Sequence, residues 1–331
     1  MTQEELLEII HKAEKEQAEE LDLSMGDSDW SLEIFVVNDG SEQKPNPVSL
    51  IPDKGFSAIA SVNIIHMRHN VGHQRAIATG LCHVFSLATG NGQGPPVLVM
   101  DADGEDRPQA VPSLLKAHLE QPEAVIVAGR SKRTEPLWFK MGYWLYKLIF
   151  RLLTGRPISF GNFMLIPHAA LGKVVTLPEL WMHLASTIIK SRAEILSVKT
   201  DRGVRYAGQT KMNLETLVIL GLEAVSVFSN LVFVRLLLLF LILGLLSASA
   251  LFVVVGIRLF TDLAIPGWAT DTCLALSSLF VQSVISSLLV MFLILRGKQR
   301  LPSVPILDAE RFVGSLDTIF RSSPDQYAHA R

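Results

Sequence analysis

The stretch VLVMDADGEDRPQ, Val97 to Gln109, runs four apolar residues into two carboxylates one residue apart, then a charged turn and a proline. Asp101 and Asp103 lie two apart, so on a strand they share a face, and at a strand end both can reach one ion. Oxygen ligands of this kind suit Mg²⁺ or Mn²⁺, above all where a substrate phosphate completes the shell. A turn with two solvated acids would read the same from this stretch alone, so the flanking sequence decides between the two.

The flanks repeat one pattern. LEIFVVNDGS (32–41) predicts a strand ending in a polar turn, and SVNIIHMRHN (61–70) predicts another. HQRAIATGLCHVFSLATG (73–90) predicts a helix stopped by Gly90, and AVPSLLKAHLEQ (110–121) a helix after the VLVMDAD strand. EAVIVAGR (123–130) predicts a fourth strand, and Thr2 to Glu5 resembles a capping box opening an N-terminal helix. Short apolar strands alternating with helices argue for a parallel α/β sheet. In such sheets ligands bind beyond the carboxyl ends of the strands. Asn38-Asp39-Gly40-Ser41, Arg68-His69-Asn70, Asp101-Ala-Asp103 and Gly129-Arg130 all fall at those ends. The spaced glycines of GNGQGPP (90–96) precede a strand and do not open a helix, so they fail as a dinucleotide-binding loop.

Composition narrows the class. Apolar residues make up 49% of the 331 and the net charge is −2, with mean hydropathy +0.34. No global basic field favours nucleic acid. Two cysteines, Cys82 and Cys273, form neither a disulfide framework nor a zinc spacing. The acidic, amphipathic N-terminus lacks the basic-then-apolar pattern of a signal peptide. The apolar excess sits after residue 214: Leu231–Ile257 and Leu274–Leu295 are each long enough to cross the hydrocarbon core, about 30 Å thick, as a helix. Buried helices of a large soluble core are the competing reading. The connection carries one basic residue, Arg258, whereas Arg296, Lys298 and Arg300 follow the second span. The positive-inside rule therefore predicts an integral protein of the inner or plasma membrane, with its N-terminal domain and C-terminus both cytoplasmic.

Six pieces of the chain, in order, resemble the GT-A-fold, family 2 glycosyltransferases of the polyprenyl-phosphate type, the group that includes dolichyl-phosphate mannose synthase and bacterial two-span polyprenyl-phosphate glucosyltransferases. FVVNDGS (35–41) resembles that family's VDDGS, and RHNVGHQRAIATG (68–80) its N-x-G…A…G segment. VLVMDADGEDRP (97–108) resembles its DADLQDPP metal loop, and AGRSKR (128–133) its G-x-R-x-x-R segment. SFGNFMLIP (159–167) resembles GDFRL, and RYAGQTKMN (205–213) resembles R-x-x-G-x-S/T-K. The resemblance implies a Rossmann-like, mostly parallel catalytic domain over 1–210 and an interfacial amphipathic helix over 211–230. Spans at 231–257 and 274–295 and a cytoplasmic tail at 296–331 complete the expected organisation.

Carried over by position, the resemblance implies that Asp101, Asp103 and Glu105 bind Mg²⁺ or Mn²⁺, with Glu105 standing where the family has glutamine. It implies that Asp39, Gly40, Asn70 and Asp101 hold the nucleotide. Arg130 and Arg133 would hold the acceptor phosphate, while Arg205 and Lys211 close over the donor and acceptor phosphates beside Asp103. Arginine suits that work because its planar fork matches phosphate in bidentate geometry. The implied activity is inverting transfer of a sugar from a UDP- or GDP-sugar to polyprenyl phosphate, giving a lipid-linked sugar donor for cell-envelope glycan modification. The implied partners are the nucleotide-sugar, the lipid and the membrane, with no nucleic acid and possible homo-oligomers.

The chain departs from the pattern in three places. A first strand ending in P-x-Y-N-E does not precede the helix-like N-terminus, so either the start lies upstream or the domain lacks that strand. Asn162 replaces the acid of GDF, and Asn38 replaces the first acid of VDDGS. Trp181 and His183 lie in a candidate acceptor-side loop, or are packing residues. The tail segment AERFVGSLDTIF (309–320) predicts a short helix. Two other readings stay open: a processive polysaccharide synthase, for which the Q-x-x-R-W motif is missing, and a catalytically impaired membrane homologue that binds lipid phosphate or a partner.

Overall fold

The structure, a computed structural model, describes residues 22, 31–41, 58–88, 94–130, 137–158, 160–201, 203, 214–261, 267–298 and 303–322. The chain divides into two compact units. The first holds Met1–Lys147, Pro157–Val227 and Ser303–Arg331, and the second Leu148–Arg156 and Phe228–Pro302.

In the first unit, strand β1 (Leu32–Asn38) pairs in parallel with β2 (Ile59–Met67), with Val36 opposite Ile64 and Asn38 opposite His66. Parallel pairing makes the 38–41 and 68–72 segments leave the sheet at the same end. Every residue of β2 but Ala60 is buried, as its near-continuous apolar run demands of a strand covered on both faces. A second sheet has the order β3-β5-β4-β6, from β3 (Val97–Val99), β4 (Val125–Arg130), β5 (Met164–Ile166) and β6 (Ile195–Thr200). β5 runs antiparallel to both neighbours, with Met164 opposite Val99 and Val127. The start of β5, with Asn162 just before it, therefore lies beside the end of β3 that leads into Asp101. β4 and β6 are parallel, with Arg130 opposite Thr200.

Helix α1 (His73–Leu87) follows β2, and α2 (Val111–Glu120) follows β3 with proline in its first turn. Leu114 and Val111 of α2 pack with Ile126, Ala128 and Leu165 in a core that also takes in Leu32, Ile34 and Leu98. One core thus serves both sheets. Helices α3 (Leu137–Thr154), α4 (His168–Val174), α5 (Leu184–Ser191) and α6 (Leu214–Ser226) complete the order up to residue 226.

Two expectations change here. Among the described residues two strand pairings are parallel and three antiparallel, so the sheets are mixed and not mostly parallel. The reason is local: β5 begins at the carboxyl end of β3, beside the turn that leads into Asp101, so it runs back between β3 and β4. The tail segment expected as a helix forms one 3₁₀ turn (Ala309–Phe312) and then strand β7 (Val313–Arg321). β7 pairs antiparallel with β2, placing Leu316 opposite Ile65 and Thr318 opposite Asn63. A glycine at 314 and β-branched Val313, Thr318 and Ile319 oppose a helix and suit an extended strand. Before it, a short helix α9 (Pro305–Asp308) ties to the domain through Ile306 N–H donating to the Val175 carbonyl, 3.0 Å.

The second unit is built on α7 (Ser229–Phe260) and α8 (Trp268–Lys298). Both are longer than the expected spans and are long and apolar enough to cross a membrane. Small residues let the two approach: a Cβ on Gly244 would meet the Ser283 hydroxyl at 2.8 Å, and Ser247, Ser283 and Ser287 are buried. The Arg235 guanidinium donates to the Leu152 carbonyl at the end of α3, 2.6 Å.

Candidate active site

The turn after β1 is held from both sides. The Asn38 side-chain oxygen accepts from the Ser41 amide, 3.1 Å. Gly40 has φ +68, and a Cβ there would stand 2.5 Å from the Asn70 amide nitrogen, so only glycine fits. The Asp39 carboxylate accepts from the amides of Val71 (2.7 Å) and Gly72 (3.0 Å). Asp39, Gly40 and Asn70, expected as a nucleotide-binding group, are brought together. In this arrangement Asp39 ties the 38–41 turn to the start of α1.

The turn after β3 is equally self-bonded. The buried Asp106 accepts from the Asp101 amide, 3.0 Å, and Asp103 accepts from the Glu105 amide, 3.0 Å. Gly104 has φ +84. Gly203 docks on this turn, its amide donating to the Glu105 carbonyl at 2.9 Å. A Cβ on Gly203 would collide with the Gly104 carbonyl, so glycine permits the close approach. A crevice at the carboxyl ends of β4 and β6 is lined by Glu105, Asp106, Gly161, Thr200 and Asp201 among others.

His73, the first residue of α1, joins the pieces. Its Nε2 lies 3.1 Å from the Asn162 amide nitrogen and 3.6 Å from an Asp101 oxygen. As a lone pair Nε2 accepts from Asn162; as an N–H it faces the carboxylate, so it serves one partner at a time. His183 caps α5 by accepting from the Ser186 amide at 3.2 Å. Burial, with the nearby His73 charge second, pushes the His183 imidazole down to about 4, so it is a neutral cap at pH 7. Its neighbour Leu184 donates its amide to the Gln74 side chain, 2.9 Å. Trp181 packs edge-on against Phe312 and donates to the Ser303 hydroxyl, 3.2 Å. Both residues therefore show packing and capping contacts.

Among the described residues, no group of three or more His, Cys, Asp or Glu side chains is placed to hold a metal ion. The expected set Asp101, Asp103 and Glu105 is thus not gathered as a three-ligand cage. The carboxylates on this turn still fit Mg²⁺, which takes one or two protein carboxylates plus substrate phosphates and waters. Arg130 ends β4 opposite Thr200. Its side chain, with Arg133, Arg205 and Lys211, lies outside the described residues. Cys82 offers no nucleophile, because burial pushes its thiol up to about 12. Sequence reasoning missed His73, Gln74 and Asp106. The signal for the first two was the His-Gln pair at the start of a helix after N-x-G; Asp106 had none beyond its place in the acidic turn.

The chain is 28% identical over 253 residues to the uncharacterized glycosyltransferase YkcC of Bacillus subtilis, covering 72% of each chain. It is 27% identical over 202 residues to the uncharacterized glycosyltransferase sll0501 of Synechocystis, 60% of each. It is also 27% identical over 232 residues to a prophage bactoprenol glucosyl transferase homolog of Escherichia coli, 69% of each. The profile of glycosyl transferase family 2 matches residues 8–181, more than half of the chain. The chain belongs to glycosyl transferase family 2 and is a glycosyltransferase.

Proposed function

We propose that the protein is anchored in a membrane and transfers a sugar, with inversion, from a UDP- or GDP-sugar to a polyprenyl phosphate. One observation carries the reading: the 38–41, 70–73 and 101–106 segments meet at the carboxyl ends of strands in a chain that continues into two apolar helices. Similarity to a protein named as a bactoprenol glucosyl transferase homolog supports a lipid acceptor. The mixed sheets are read as a GT-A, Rossmann-like domain.

In this reading the acceptor phosphate oxygen attacks the anomeric carbon as the bond to the nucleoside diphosphate breaks. The acceptor, with a second pKa near 6, is mostly dianionic at neutral pH, so no side chain need remove a proton. Asp101 and Asp103 would hold Mg²⁺ or Mn²⁺, whose charge offsets that of the leaving diphosphate. Glu105 stands beside that pair, and Asn70 and Gly40 line the nucleotide side. Arg130 and Arg133 take the acceptor phosphate, and Arg205 and Lys211 reach both phosphates, since two anions must approach one another. The basic residues after the second span put the catalytic domain and the tail in the cytoplasm.

A transfer assay tests the whole. Purified protein in detergent receives a short polyprenyl phosphate, Mg²⁺ or Mn²⁺, and a panel of UDP- and GDP-sugars, with mass spectrometry of the lipid. A lipid-phosphate sugar is expected, reduced at least a hundredfold in Asp103→Ala, on the scale of losing an electrostatic stabiliser of developing charge. No product from any donor would overturn the lipid-acceptor reading.

A further inference from the structure

The tail strand β7 reaches the candidate nucleotide turn through side chains. β2 is apolar except for Ser61, Asn63 and His66, all buried. The Asn63 side-chain oxygen accepts from the Thr318 hydroxyl, 2.8 Å, and the Asn63 side-chain nitrogen donates to the Ser61 hydroxyl, 3.0 Å. His66 Nε2 lies 3.2 Å from the Asp317 carboxylate, and its Nδ1 lies 3.1 Å from the Asn38 side-chain nitrogen.

The proton positions along this line follow from the one donor that has no choice. The Ser41 amide can only donate, so Asn38 must present its oxygen to it. That turns the Asn38 NH₂ toward His66 and makes Nδ1 an acceptor. Nε2 then carries the proton and donates it to Asp317. A single tautomer satisfies every contact from the tail to the turn. The tail also seats the neighbouring segment: Arg68 N–H donates to the Phe312 carbonyl, 2.9 Å, and His69 packs edge-on against the Phe312 ring.

We infer that Asp317, on a strand that follows the second apolar helix, is a positioning residue for the 38–41 turn, acting through His66 and Asn38 to fix the nucleotide-binding geometry. The inference rests on the reading above that this turn faces the nucleotide. Asp317 is itself half-exposed, so its removal spares the core.

The test compares Asp317→Ala and Asp317→Asn with the wild type, as full-length protein in detergent. Hydrogen exchange of the 34–42 peptide reads the relay without any ligand. Exchange should quicken in Asp317→Ala and return to the wild-type rate in Asp317→Asn, whose amide oxygen still accepts from Nε2–H. UDP and GDP titrations read the consequence. The nucleotide that the wild type binds should bind about fivefold more weakly to Asp317→Ala, the scale of one hydrogen bond. The donor KM should rise by a similar factor while kcat and acceptor KM hold. Unchanged exchange in Asp317→Ala, or a loss that Asp317→Asn fails to restore, would overturn the relay. A wild type that binds neither nucleotide would remove the reading of the turn, while the exchange result still decides the relay.

Discussion

At the scale of single residues, His183 shows how burial sets a charge state that a helix cap depends on. The imidazole must stay neutral for Nδ1 to accept from the Ser186 amide. Its folded pKa is pushed from 6.5 to about 4, mainly by burial and then by His73. Between those values the unfolded chain binds a proton that the folded chain refuses, so folding stability falls as pH drops from 6.5 toward 4. The loss is on the order of 3 kcal/mol for a shift of this size. Above pH 6.5 this contribution is fully present. His183→Asn keeps a capping oxygen without a titrating group. The expected outcome is a difference between wild type and His183→Asn in denaturation midpoint that changes across this window and is flat above pH 7. Midpoints that shift in parallel from pH 4 to 7 would show that the imidazole does not carry the effect.

At the scale of elements, β1 to β4 and helix α1 were legible because each apolar run leads into Gly, Asn or Asp at the point where the chain turns, and α2 because its run stops at Gln121-Pro122. The short β5 and the tail strand were not, because their direction and partners are set by residues far away in the chain. Asn63 and His66, polar in an otherwise buried apolar strand, were the trace that β7 leaves in the sequence. Without Thr318 and Asp317 these side chains lose partners in a buried setting, at about 1–3 kcal/mol each. The acidic turn after β3, Gly40 and Asn70 could be read from motifs; His73, Asp106 and Asp317 could not, since their contacts exist only once strands pair. Truncation after Pro302 follows as a test. It removes a whole strand, its two polar partnerships and the packing of Phe312 on Trp181 and His69. The truncated protein should lose its cooperative melt or aggregate, with the β2 edge open. Full melting stability without residues 303–331 would mean that β7 adds nothing to the sheet.

At the scale of the whole molecule, the chain passes from a catalytic domain through two apolar helices and returns to finish the first sheet of that domain. The 303–322 segment belongs to one compact unit with residues 1–147 and 157–227. If both helices span, that unit can lie on one side only, because its pieces flank an even number of crossings. The apolar faces of α7 and α8 suit a lipid surround: Phe252 on α7 is 80% and Phe292 on α8 60% exposed. In the proposed topology, Arg296 and Lys298 at the end of α8 put the shared side in the cytoplasm. Asp271, in the first turn of α8, would sit at the opposite face. Single cysteines at Asp271 and Arg321, in a background lacking Cys82 and Cys273, separate the possibilities. With a membrane-impermeant maleimide on intact cells, Asp271→Cys should label and Arg321→Cys should label only after lysis. The reverse pattern would turn the protein over and move its donor to the other compartment. Labelling of both sites on intact cells would break the two-span topology, and with it the return of the tail to the catalytic sheet.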